Sequence, residues 1–269
     1  MLAHQRQELI LDAVRAHGGV RVADLVERLG VSEMTVRRDI GELSRQGLVA
    51  RVHGGAAAVG RSSEEPGFAA KSTLRTAAKE AVARAAVRFA DAGASVALSA
   101  GTTTVAVAAQ LRAVPDLTVV TNSPRVADVL HEPGSGRTVV LTGGVRTPSD
   151  ALVGPVAHAG LAGLHVDVLF LGVHGLDVGA GLTTPNLLEA DTNRALMACA
   201  ARVVVVADTS KLGVVGLASF APLDAVDVLV TDDGLDPDDR AALAEHVGEL
   251  VLARPSSPDH DPLDPEDHP

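Results

Sequence analysis

From residue 94 onward the chain alternates two patterns with hardly a break. Apolar runs at 94–99, 117–121, 137–142, 166–173, 202–207, 226–231 and 249–252 are separated mostly by helical patterns at 103–112, 123–131, 154–163, 186–200 and 236–246. A short run that is apolar at every position fits a strand covered on both faces. Strand–helix–strand order, in turn, calls for parallel strands joined by crossover helices. The expected fold class is therefore α/β, a doubly wound and mostly parallel sheet with helices on both faces. Hydrophobic residues make up 46 % of the chain, yet there is no Trp or Tyr and only four Phe. The core has to be built from Val, Leu and Ala.

A smaller unit precedes this domain. Helical spacing predicts helices over 4–17 (Leu9, Ile10, Ala13 and Val14 inward), 21–29 (Val22, Leu25, Val26 and Leu29) and 32–46 (Val36, Ile40 and Leu43). Gly30 ends the second helix and Ser32 is placed to cap the third, which leaves Thr35, Arg37, Arg38 and Ser44 off the apolar face. Two helices joined by a tight Gly-containing turn, the second with paired arginines near its start, form the pattern of a helix-turn-helix that reads DNA. Glu33–Arg37 and Arg38–Glu42 are also spaced as i,i+4 surface ion pairs, worth about 0.3–0.5 kcal/mol each, so a plain helical bundle fits the same residues. The next stretch separates the two. LVARVHGG at 48–55 alternates apolar residues with Arg51 and His53 before Gly54, as the hairpin of a wing lying along phosphates would. The predicted DNA contacts are Ser32, Glu33, Thr35, Arg37, Arg38, Arg51, His53 and Gly54, in a winged helix-turn-helix over 1–56.

Charge has to be read by segment. The chain carries a net charge of −11, but residues 1–61 hold nine Arg against seven acidic residues and the rest holds 14 basic against 27 acidic, so +2 and −13. The small positive excess sits with the reading head. Residues 57–73 lose periodicity and read as a linker, and 254–269 as a disordered acidic, Pro-rich tail. The single cysteine, Cys199, lies in ALMACAA and reads as a small buried hydrophobe. No run approaches a membrane span and no export signal is visible, so a cytoplasmic protein is expected.

In a doubly wound sheet the ligand site lies beyond the carboxyl ends of the strands. Here those ends carry Gly101–Thr102–Thr103–Thr104, then Thr121–Asn122, then Gly143–Gly144, and finally Asp208 with Lys211 just beyond. Hydroxyls, amides and glycines at helix starts suit an anion, and together with Asp208 and Lys211 they suit a phosphorylated polyol. The carboxylates Asp177, Glu189 and Asp191 have no evident partner for acid–base work, so no catalytic residue, metal or cofactor is assigned.

The spacing Arg6, Ile10, Val14, Ser32, Thr35, Val36, Arg37, Arg38, Asp39, Ile40, followed by RVHGGA at 51–56, resembles the DeoR family of bacterial transcriptional regulators. Lys79 ahead of Ala83, GTTT at 101–104, VVTNS at 119–123, LTGG at 141–144, VDVLFLG at 166–172, GLTT at 181–184 and ADTSK at 207–211 resemble that family's C-terminal sensor domain, here over 74–253. The resemblance implies a ribose-5-phosphate-isomerase-like fold that binds phosphorylated sugars, with Lys79 added to the effector-binding set. It also implies a regulator of carbohydrate genes, most often a repressor released by the metabolite. Two positions depart from the family pattern: Ser99 where many members carry Asp, and Lys71 where Arg is usual. One reading helix touches few base pairs, so operator binding calls for a homodimer or larger assembly. The alternative is a sugar-phosphate isomerase-like enzyme with a helical appendage, which leaves 32–55 unexplained.

Overall fold

The computed structural model describes residues 1–17, 19–45, 48–52, 54–58, 67–132 and 134–254. The N-terminal head consists of helices α1 (Ala3–His17), α2 (Val22–Leu29) and α3 (Glu33–Arg45) with strands β1 (Gly19–Arg21), β2 (Val49–Val52) and β3 (Gly55–Ala58). Its core is Ile10, Val14, Leu25, Val36, Ile40 and Leu43, none more than 1 % exposed. Leu9, expected inward, is exposed instead, since the buried stripe of α1 runs through Ile10, Ala13 and Val14. Gly30 takes a left-handed conformation (φ 64°) and its N–H donates to Val26 O at 3.0 Å, closing α2.

The wing is larger than the expected hairpin. It extends to Ala58 and acquires a third strand, in antiparallel order β1-β3-β2. Three residues between two helices give too little periodicity to announce β1. Only glycine fits at position 55, because a Cβ there would stand 2.2 Å from Val20 O.

Beyond the head lie α4 (Phe68–Ser72), inside the expected linker, and α5 (Thr76–Ala86). Residues 59–66 of that linker and residues 255–269 of the expected tail lie outside the described residues. The buried face of α5 is Ala78, Lys79, Ala81, Val82, Ala83 and Ala86. Helical spacing over 74–90 predicts Ala77, Ala81, Ala85 and Val87 inward; Ala81 is buried as expected, but Ala77 is exposed, and Ala85 and Val87 are half-buried. A helix so rich in alanine carries little polar contrast to mark its outer side.

Seven parallel strands follow: β4 (Ser95–Leu98), β5 (Thr118–Thr121), β6 (Thr138–Leu141), then, after two short strands β7 (Val145–Arg146) and β8 (Leu152–Val153), β9 (Val168–Leu171). Strands β10 (Gly175–Asp177) and β11 (Gly181–Thr184) precede β12 (Val203–Val206), and β13 (Ala218–Ala221) precedes β14 (Val228–Asp232) and β15 (Glu249–Ala253). The helices between them are α6 (Thr102–Leu111), α7 (Pro124–Leu130), α8 (Pro155–Leu161), α9 (Leu187–Ala198) and α10 (Pro237–Ala244).

The main sheet runs β15-β14-β12-β9-β4-β5-β6, with every pairing parallel. Alternate side chains feed two cores. Val96, Leu98 and Phe170 join one under α5 and α6, while Ala97, Leu169 and Leu171 join the other under α9. Both faces are therefore covered over the central strands, as the apolar runs implied. Edge strand β6, expected to be covered as well, is exposed at Thr138, Val140 and Leu141, because among the described residues no strand or helix lies beyond it to pack there. Two small antiparallel ribbons, β7-β8 and β10-β11-β13, were not expected. Their strands are two to four residues long and show no alternation. From β4 the chain builds outward to β5 and β6, then returns to the other flank at β9. That reversal places the topological switch point between β4 and β9.

Candidate functional site

The reading helix α3 is capped as expected: the Thr35 N–H donates to Ser32 Oγ at 3.3 Å, and the two hydroxyls lie 2.9 Å apart. Its buried Asp39 receives two hydrogen bonds from Arg6, at 2.7 and 3.2 Å, which lock α3 to α1 and aim its outer face. On that outer face Ser32, Glu33, Arg37 and Arg38 are exposed and Thr35 is half-buried. Arg37 pairs with Glu33 at 2.7 Å. The expected partner of Arg38, Glu42, is instead engaged by Arg45, and Arg38 carries no ion pair among the described residues. Helical reach explains the exchange: Arg45 lies one turn beyond Glu42 and competes for the same carboxylate. Gly54 turns the wing at φ 73°, and Arg51 stands on β2 opposite Ala56. His53 lies outside the described residues.

All the predicted effector residues at strand ends share the carboxyl edge of the sheet, because every strand there is parallel. They divide by what their polar atoms do. Thr121 Oγ donates to Leu98 O at 2.7 Å. Asn122 is fully buried, accepting from the Ala100 N–H at 2.9 Å and donating to Leu152 O at 3.1 Å. These two brace the loops around the edge. Gly143 and Gly144 form a left-handed turn against β8, and a Cβ at 144 would stand 2.6 Å from Val153 O. At the switch point, Gly101 opens α6 with the Thr102–Thr104 hydroxyls behind it, although Thr104 Oγ turns back to Gly101 O at 2.9 Å. Ser99, the position that departs from the family pattern, is buried and accepts from the Gly172 N–H at 2.9 Å, stitching β4 to β9.

The charged residues gather at the ends of β12 and β14. Lys79 is buried, and its ammonium donates to Lys71 O at 2.5 Å. Burial holds its pKa below the usual lysine value. Nearby Asp208 opposes that shift, and Lys211, Lys71 and Arg75 reinforce it. Burial pushes Asp208 upward, but Lys211, Ser210 and Arg75 outweigh it and keep the carboxyl below its ordinary range. Arg75, at the left-handed position opening α5 (φ 52°), reaches Asp208 at 3.2 Å and Asp232 at 3.0 Å. The edge therefore presents a buried ammonium, a second lysine and an ionised aspartate side by side.

Sequence reasoning passed over Ser99's stitching role, Arg75 and Asp232. Asp232 closes an apolar run, so the strand-end rule that singled out Asp208 could have found it; Arg75 carries no such signal. Cys199 is buried, as expected, and burial raises its thiol pKa. Asp177 is committed to the N–H groups of Gly179 and Ala180, and Asp191 to Arg194. An open depression of about 550 Å³ lined by Gly181, Phe220, Asp224 and His246 lies away from this edge, with both of its titratable groups exposed.

A model of the DeoR-like helix-turn-helix domain matches residues 6–61, and one of the DeoR C terminal sensor domain matches residues 74–233, more than half of the chain. The chain belongs to the DeoR family. This DeoR-family protein is 41 % identical over 253 residues to the HTH-type transcriptional regulator GlpR of Haloferax volcanii, a match covering 94 % of this chain and 98 % of that one. It is 33 % identical over 231 residues to the transcriptional repressor AccR of Agrobacterium fabrum, covering 85 % and 89 %. With the glycerol-3-phosphate regulon repressor of Escherichia coli K12 the identity is 32 % over 228 residues, covering 85 % and 90 %. The DeoR-family chain is thus a DNA-binding transcriptional regulator and not an enzyme. A ribose-5-phosphate isomerase bound to phospho-erythronic acid is 16 % identical over 50 % of this chain and 52 % of its own, with a TM-score of 0.37. No helix among the described residues is long and apolar enough to cross a membrane.

Proposed function

We propose that this DeoR-family regulator represses carbohydrate-metabolism genes as a homodimer or larger assembly, and leaves its operator when a phosphorylated sugar binds the carboxyl edge of its sensor sheet. The observation that carries the reading is the buried Lys79 ammonium grouped with Lys211 and Asp208 on the same carboxyl edge of the sheet as the Gly101–Thr104 helix start. Two cations and a helix N-terminus suit a phosphate, and the carboxylate suits sugar hydroxyls. The names of relatives that act as repressors, one of a glycerol-3-phosphate regulon, support the same reading.

The proposed DNA contacts are Ser32, Glu33, Thr35, Arg37 and Arg38 of the reading helix with Arg51, His53 and Gly54 of the wing. Within the sensor, Lys79, Gly101–Thr104, Asp208 and Lys211 face the ligand, while Thr121, Asn122, Gly143 and Gly144 shape the rim. Thermal-shift screening against pentose, hexose and triose phosphates tests the site: a compound that stabilises the wild type and not Lys211→Ala supports it. The same compound should weaken binding to an operator selected in vitro. If no phosphorylated sugar alters either melting or operator affinity, the effector reading is wrong.

A further inference from the structure

One contact joins the head to the sensor at this same edge. Arg21 is the last residue of β1, is paired with Gly55 of the wing, and stands immediately before α2, whose first N–H, that of Val22, donates to Gly54 O at 2.8 Å. Its guanidinium crosses to the sensor, where Nη2 donates to Thr209 Oγ at 2.8 Å and lies 3.8 Å from Asp232 Oδ2. Position 234 is glycine, and a Cβ there would stand 2.7 and 2.9 Å from the two terminal nitrogens of Arg21. The sensor thus leaves a berth for this side chain.

Thr209 is the shared element. Its N–H and hydroxyl both donate to Asp232, at 2.6 and 3.0 Å, while its oxygen accepts from Arg21 and from Arg75. It belongs to the tight turn 208–211, closed by Lys211 N–H to Asp208 O at 3.0 Å and by the Asp208 carboxylate accepting from the Ser210 N–H. The residue gripped by the head and the lysine assigned to the ligand therefore ride on one four-residue unit. A shift of that unit cannot leave Thr209 in place.

We infer that Arg21, gripping Thr209 and Asp232, is the positioning residue through which the sensor's 208–211 turn sets the orientation of the DNA-reading head. The inference rests on the pocket reading above for what moves the turn. On the head side, Arg21 is fixed to the wing and to the base of α2, so its displacement swings both relative to the sensor. Coupling between two sites needs an element that both of them bias, and this turn meets that requirement.

The test uses the full chain in a Cys199→Ala background, spin-labelled at Glu27→Cys on α2 and Glu245→Cys after α10. The inter-label distance distribution should be narrow with Arg21 in place and should broaden in Arg21→Ala. It should also broaden in Gly234→Ala, which evicts the guanidinium without altering the head. An unchanged distribution in both variants overturns the junction. A second arm measures operator affinity with and without fructose 1-phosphate, ribose 5-phosphate and glycerol 3-phosphate. The wild-type ratio should be about fivefold or more for an active compound, and Arg21→Ala should bring it within about twofold of unity. A variant that keeps the wild-type ratio overturns the inference. If none of the three compounds shifts the wild type, the pocket reading fails, and the distance arm still decides the junction.

Discussion

Arg38→Ala should cost more operator affinity than Arg37→Ala, although the two residues are neighbours on one helix. Both lie on the exposed face of α3, but Arg37 is held by Glu33 at 2.7 Å with side chains 46 % and 61 % exposed, while Arg38 has no such partner among the described residues. An exposed i,i+4 pair is worth about 0.3–0.5 kcal/mol, and Arg37 has to give that up to reach a base or phosphate. A good side-chain contact to a base edge contributes about 1–3 kcal/mol. Arg38→Ala loses the whole of it, a factor of about 5 to 150 in Kd, and Arg37→Ala loses it less the pair. By the same reasoning Glu33→Ala frees Arg37 and removes a negative charge from the proposed DNA-facing side, so it should tighten binding to the scrambled duplex, where Glu33 reads no base. Fluorescence anisotropy on a selected operator and on a scrambled duplex, at two salt concentrations, separates the terms. Base contacts show as lost discrimination and phosphate contacts as a reduced salt slope. A folded Arg38→Ala protein with wild-type affinity on both duplexes would refute the assignment of this helix face.

Three further outcomes follow from the sensor. Thr103→Glu places a carboxylate at the proposed phosphate cradle, where like charges repel; operator binding should survive while release by the screened metabolite is lost, measured as the ratio of operator Kd with and without it. Gly144→Ala meets Val153 O at 2.6 Å in a left-handed backbone, so chemical denaturation should show a loss of about 1–3 kcal/mol from strain alone, and an unchanged midpoint would mean that the turn moves freely. Because the Asp208 carboxyl is held below its ordinary value in the folded chain, the stability it confers is present above about pH 4 and drains away as pH falls through the lowered pKa. The stability gap between wild type and Asp208→Asn should therefore close on acidification, and a gap independent of pH would contradict the ionised state.

Much of this protein was legible locally. The seven apolar runs became the seven strands of the main sheet, and the helical patterns between them became its crossover helices, with boundaries off by a residue or two. Burial on both faces leaves its mark at every position of the central strands, so no distant contact is needed to read them, although edge strand β6 carries the same apolar pattern while exposed. The reading helix was equally plain, since Val36, Ile40 and Leu43 mark its inner side and Ser32 its start. Where the local contrast is weak the reading slipped, as in the phase of alanine-rich α5 and in the two- to four-residue ribbons.

The proposed effector edge was legible only in part, because its residue types were visible and its meeting points were not. Asp208, Lys211 and the GTTT stretch stand at strand ends and could be named from the topological rule alone. That Asn122 is spent on backbone groups, and that Ser99 binds β4 to β9, depends on which strands end side by side. Arg21 lies 188 residues from Thr209, and Arg75 lies 157 residues from Asp232. Hydrophobic periodicity records which side of an element is buried, and capping residues record where it stops. Neither records which exposed arginine a distant turn will receive. That choice was made by the parallel order of the sheet, which brings the ends of β12 and β14 together, and by the bare glycine at 234, which leaves room for the head's guanidinium between them.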